Sequence, residues 1–228
     1  MNSEPERLNV LVMHADPIVC TGVIAALREH AAFNAFEQRF DASTAEEQRI
    51  AVVVTDYATA LRFGDRGSER SRGFPNDAKV LVLTPNDREA DIRRAIEAGV
   101  FGYVLVGGPL DELVEGVVAL AKGLRYMSPS VAHRMAESLT HATLSSRELE
   151  VLRLVADGEA NKVIARELDI ELGTVKAHVS AIMSKLGARS RTQAASIAAA
   201  RGLVSDARDQ LHLLPIVGRA QTLQMRMT

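Results

Sequence analysis

The sequence predicts two unlike domains: a doubly wound α/β domain built on a parallel five-stranded sheet, then an all-α four-helix domain containing a helix-turn-helix. Three observations predict this. Short β-branched runs alternate with amphipathic segments as far as Gly123, as parallel strands joined by crossover helices do. Beyond about Leu139 only the helical period remains. The length, 228 residues, exceeds the usual size of one domain.

In chain order, Val10-Leu11-Val12-Met13, Ala51-Val52-Val53-Val54, Lys79-Val80-Leu81-Val82-Leu83 and Tyr103-Val104-Leu105 read as strands buried on both faces. Between them, Ile18, Val19, Val23, Ala26 and Leu27 share a helical face, as do Ile92, Ala95 and Ile96 after a start at Asn86-Asp87. A further helix begins at Pro109 with Asp111 and Glu112 in its first turn, and carries Leu110, Leu113, Val117, Leu120 and Leu124 on one side. The polar, glycine-rich stretch from Arg62 to Gly73 reads as a mobile loop with a short or missing helix nearby, and a partner-docking or nucleic-acid-touching arm is its functional alternative. Ser128-Pro129 opens a helix reaching about Leu139. Ser145-Ser146-Arg147-Glu148 has capping-box spacing, and Ser190-Arg191-Thr192-Gln193 repeats it; glycines at 158 and 202 end the two helices these boxes start. The expected boundaries are 1–124 for the α/β domain, 125–142 for a linker helix, 143–204 for the helix-turn-helix domain and 205–228 for a C-terminal extension.

Composition narrows the function classes. With 27 basic against 29 acidic residues, the formal net charge is -2, so any nucleic-acid affinity has to come from a local surface. The lone Cys20 permits no internal disulfide, and no cysteine-histidine spacing suits zinc. The N-terminus lacks the basic-then-apolar order of a signal peptide, and no apolar run approaches the roughly 18 residues of a membrane helix. A cytoplasmic protein with no membrane partner is expected. No glycine-rich phosphate loop, nucleophile elbow or metal motif appears, so neither an enzyme nor a cofactor is expected.

Within the C-terminal domain, Asn161 to Leu168 and Thr174 to Leu186 are two helical segments around a turn at Asp169-Ile170-Glu171. On the second, Val175, Val179, Ile182 and Leu186 form an anchoring face, while Thr174, Lys176, Ala177, Ser180 and Ser184 offer a small, polar or basic one without acids. Such a face can enter a major groove. Together with Leu144 to Leu152, Asn161-Lys162-Val163-Ile164-Ala165 and Lys185-Leu186-Gly187-Ala188-Arg189-Ser190-Arg191-Thr192, these segments resemble the LuxR-type helix-turn-helix of NarL/FixJ-type response regulators. The resemblance implies that Lys176 and Ala177 face bases, with Ser180 one turn on. It also implies that Lys162, Thr174 and Lys185 bind or approach phosphates, that double-stranded DNA is the partner, and that the last helix helps form a homodimer. Two caps depart from the family pattern: Glu171 and Ala160 stand where serine or threonine is usual. His178 is expected to pack inside the domain.

The N-terminal half resembles the receiver domain of the same family, a flavodoxin-like fold. Asp56 falls where the phosphoacceptor ends the third strand, Thr84 ends the fourth, and Gly102-Tyr103-Val104-Leu105 matches the fifth. The family's acidic pair aligns with His14-Ala15, followed by Asp16, and its lysine aligns with Val106. Magnesium takes carboxylate ligands directly, and phosphoryl charge needs a compensating cation. An atypical receiver working without Asp phosphorylation is therefore expected, its degenerate pocket being Asp16, Asp56, Thr84, Tyr103 and Val106. The alternatives are conventional phosphorylation on Asp56, or a receiver-like half that senses a partner protein or small ligand. Cys20 reads as a buried apolar filler, and the apolar residues from Leu211 to Val217 as a partly disordered terminus or a docking tail.

Overall fold

A computed structural model describes residues 7–37, 49–64 and 78–204. These divide into two compact units between His141 and Ala142. In the first, β1 (Leu8–Met13), β2 (Phe33–Glu37), β3 (Val52–Thr55), β4 (Lys79–Thr84), β5 (Gly102–Leu105) and β6 (Tyr126–Met127) form one sheet in the order β2-β1-β3-β4-β5-β6. Every neighbouring pair is parallel. The helices are α1 (Pro17–Arg28), α2 (Tyr57–Gly64), α3 (Glu89–Glu97), α4 (Leu110–Ala121) and α5 (Pro129–Ser138).

Side chains alternate across the strands with period two. Val10, Val12, Val52, Val54, Leu81, Leu83 and Val104 meet α1 and α4 on one face. Val82 and Tyr103 meet Ala60, Ile92, Ala95 and Val131 of α2, α3 and α5 on the other. Gly116 lets α4 lie close to the sheet, since a Cβ there would stand 2.7 Å from a Leu81 methyl.

Several sequence expectations are corrected. On α1 the buried face is Cys20, Val23 and Leu27, while Ile18 is 83% exposed beside the helix start at Pro17. On α4, Leu113, Val117 and Leu120 are buried but Leu110 and Leu124 are exposed, because they lie at or beyond the helix ends. α3 starts at Glu89 rather than Asn86. The edge strand β2 escaped notice because Phe33 to Glu37 is one-sided, without a β-branched run. Arg62, Phe63 and Gly64 are helical, not loop, and the rest of the stretch to Gly73 lies outside the described residues, as does the C-terminal extension.

The segment expected to be only a linker helix adds β6 to the sheet and buries Val131 of α5 against Tyr103 and Ile92. It is tied down further by Arg134 to Asp87 at 2.6 Å and by His141 Nδ1 to Glu89 at 2.8 Å. No helix among the described residues is long and apolar enough to cross a membrane.

The second unit contains α6 (Ser146–Ala156), α7 (Asn161–Glu167), α8 (Leu172–Leu186) and α9 (Arg191–Ala200) around Val151, Leu152, Val155, Ile164, Val175, Ile182, Leu186, Ala194 and Ala198. The capping box at Ser145 and Glu148 is complete. At α9, Ser190 accepts from the Gln193 amide, but Gln193 reaches Arg189 instead of completing the box.

Candidate nucleic-acid interface and strand-end pocket

α8 is fixed to its unit by buried Val175, Ile182 and Leu186, with Val179 partly buried beside them, and is stopped by left-handed Gly187. This leaves Thr174, Lys176, Ala177, Ser180 and Ser184 exposed. Lys176 and, at the start of α7, exposed Lys162 make no ion pair among the described residues. His178 is half-buried. Neither Ala160 nor Glu171 makes a side-chain cap bond. Lys185 behaves differently: its ammonium lies 2.7 Å from Glu148 Oε2, and its side chain is about one-third exposed.

Both ends of α7 are held from outside. Arg147 donates to the Leu168 carbonyl at 2.7 Å. Arg191 donates to Asn161 Oδ1 at 3.0 Å and to the Glu159 carbonyl. The sequence reading missed Glu148 as a partner for α8, because a capping box specifies only the local bonds of its own helix.

In the first unit, Asp56 stands at the end of β3 and its carboxylate accepts three hydrogen bonds. Oδ1 accepts the Thr59 amide at 2.8 Å; Oδ2 accepts the Thr59 hydroxyl at 2.8 Å and the Ala15 amide at 3.1 Å. Asp56 thus caps α2, a role that the Asp-x-x-Thr spacing could have signalled. Asp16 caps α1, its Oδ1 accepting from Ile18 at 2.8 Å and Val19 at 3.4 Å. His14 Nδ1 accepts the Asp16 amide at 3.0 Å, and its Nε2 is buried without a partner.

Among the described residues, no group of three or more histidine, cysteine or acidic side chains gathers around one point. On this edge of the sheet the carboxylates of Asp16 and Asp56 each accept backbone amides at a helix start. Val106, two-fifths exposed, only supplies its amide to the Thr84 carbonyl at 2.9 Å.

Thr84 and Tyr103 face a polar network instead. The Thr84 hydroxyl accepts the Asn86 amide at 3.3 Å, and the buried Tyr103 hydroxyl donates to the Asn86 carbonyl at 2.8 Å. Burial drives the Tyr103 phenol far above its ordinary range. Asn86 in turn donates to Asp91 at 2.8 Å. The buried Asp91 also receives Arg88 at 2.6 Å and the Tyr57 hydroxyl at 3.2 Å. Burial first, then the Asp91 charge, pushes the Tyr57 phenol up to about 12. The pocket residues therefore share the carboxyl edge of the sheet but make no joint ligand set.

Residues 142–198 match the family model described as bacterial regulatory proteins, luxR family. The chain is 39% identical over 153 residues to the uncharacterized transcriptional regulatory protein YvfU of Bacillus subtilis, covering 67% of this chain and 76% of that one. It is 30% identical over 203 residues to the probable transcriptional regulatory protein NarL of Mycobacterium tuberculosis, covering 85% and 94%. The chain belongs to the NarL-like response regulators. Both relatives are named as transcriptional regulatory proteins, and this NarL-like regulator shares their family. Its fold is shared with Salmonella typhimurium RcsB, at a TM-score of 0.63 and 22% identity over 83% of this chain and 98% of that one. RcsB in a DNA complex superposes with a TM-score of 0.60 at 23% identity, over 86% and 99%.

Proposed function

We propose that this NarL-like regulator binds specific sequences of double-stranded DNA as a homodimer and works without phosphorylation of Asp56. The observation that carries the DNA reading is the acid-free outer face of α8, where Lys176 and its small neighbours are exposed. A helix of this kind presents base-reading side chains to a major groove, with flanking groups on phosphates. Lys176, Ala177 and Ser180 are assigned to base edges, and Lys162 and Thr174 to phosphates. α9 turns exposed Thr192, Gln193 and Ser196 outward, and a second copy meeting it there would place two α8 helices on two half-sites.

Phosphorylation independence is supported by the state of Asp56, whose two oxygens already accept three hydrogen bonds. It is supported equally by the histidine and valine at the positions where the family places an acid and a lysine. Loss of one preorganised electrostatic donor costs roughly 3 kcal/mol of transition-state stabilisation, and here both the cation and the metal ligands are replaced.

Selection from random duplexes at low salt tests the first half: one enriched motif is expected, and none would end the reading. Incubation with acetyl phosphate and magnesium, followed by intact mass measurement, tests the second. No adduct is expected, and an adduct lost in Asp56→Ala would restore conventional phosphorylation.

A further inference from the structure

We propose that Lys185 positions the recognition helix α8 through Glu148 instead of serving as a cation for the DNA backbone, a reading that rests on the DNA-binding function above. Glu148 is nearly buried, and its Oε2 accepts two donors from different elements. These are the Ser145 amide at 2.6 Å, at the start of α6, and the Lys185 ammonium at 2.7 Å, in the last turn of α8. Drawing Lys185 away to a phosphate would leave a buried carboxylate with its main counter-charge removed, which is costly. The Glu148 carboxyl lies below the ordinary carboxylate range, first because of Lys185 and then because of Ser145, as a committed pair requires.

Helical geometry says what the brace controls. Lys176 and Lys185 are nine residues apart, so at about 100° per residue they lie on opposite flanks of α8. Val175, Ile182 and Leu186 hold the helix against the core, but apolar contacts tolerate small rotations. An ion pair on the flank away from Lys176 fixes rotation about the helix axis, and with it the direction in which Lys176, Ala177 and Ser180 point. Arg147 and Arg191 are spent in the same manner on the Leu168 and Glu159 carbonyls, at either end of α7. Lys162 and Lys176 remain without ion pairs among the described residues.

The test uses the full chain and a duplex from the selection, with Kd measured by fluorescence anisotropy between 50 and 300 mM KCl, a range spanning roughly the regime where counterion release dominates. Deleting a cation that touches one phosphate should flatten the log–log salt slope by about 0.9, and Lys162→Ala should show this. Lys185→Met and Glu148→Gln should each weaken binding several-fold and blur preference between related duplexes, with the parent's slope retained. Lys185→Arg should keep both affinity and preference.

All comparisons are made below the melting temperature of the least stable variant. Should Lys185→Met not fold, Glu148→Gln and Lys185→Arg decide. The proposal is overturned if Lys185→Met flattens the slope while Glu148→Gln binds as the parent does, or if both bind with unchanged affinity and preference. If the parent binds no duplex, the DNA reading fails by itself. The brace is then judged from amide exchange in the last turn of α8, which both variants should accelerate in the free protein; unchanged exchange overturns it.

Discussion

Thr59 gives both its amide and its hydroxyl to the Asp56 carboxylate, each at 2.8 Å. Asp56 is thereby the N-cap of α2. Asp56→Asn keeps an acceptor for the Thr59 amide but sets an NH2 against the Ala15 amide, so it should lower stability somewhat while leaving DNA affinity close to the parent's. Asp56→Ala removes the cap and should cost about 1 kcal/mol, read as a lower denaturant midpoint. A large change in DNA affinity in Asp56→Asn would mean that the charge itself has a signalling role.

Asp91 is buried at the centre of four donors from Tyr57, Asn86, Arg88 and Arg94. Its replacement by alanine removes the acceptor that these donors share, and by analogy with broken buried pairs the first unit should lose on the order of 3 kcal/mol. Calorimetry should show the transition of that unit falling while the four-helix unit is unchanged.

Lys176→Ala should weaken binding to the selected duplex and relax discrimination at one or two positions, a loss of about 1–3 kcal/mol of base preference. Lys162→Ala should weaken binding to all duplexes alike. Competition between the selected duplex and scrambled DNA separates the two behaviours.

The pH dependence of the four-helix unit follows from Glu148. Its carboxyl is held below its ordinary 4.5 by the Lys185 hydrogen bond and then the Ser145 amide. A carboxylate depressed in the folded state contributes stability that is present above pH 4.5 and is lost as pH falls through the lower folded value. The Tm of the parent should therefore fall on acidification in that window, and Glu148→Gln, already less stable at neutral pH, should lose less there.

Cys20 is buried on α1 with Sγ 4.0 Å from the Val12 carbonyl. Burial raises its thiol pKa, the main effect. Thiolate is the reactive form, so iodoacetamide should label the native chain slowly and the urea-unfolded chain fast. Rapid native labelling would expose a reactive site that the fold does not explain.

Much of this architecture was legible in the residues because β-branched runs and capping motifs are local signals. Val52 to Val54 read as an inner strand, and Ser145 with Glu148 as a helix start. What escaped was decided by distant partners. Phe33 to Glu37 becomes a strand by pairing with β1, and Tyr126-Met127 by pairing with β5, and neither has a pattern of its own. Exposed Lys162, Thr174, Lys176, Ala177 and Ser180 could be read from helical phase. The Glu148 partner of Lys185, 37 positions away, could not, since the closeness of two long side chains depends on how α6 and α8 pack.

The short strand β6 also has a practical consequence. The Tyr126 and Ser128 amides cover the Phe101 and Tyr103 carbonyls, both at 3.0 Å, and α5 lays Val131 over the same border. A fragment ending at Leu124 would present a bare strand margin with an apolar flank, the template on which sheets stack into aggregates. Ending it at His141 instead keeps that margin sealed and should yield a soluble product.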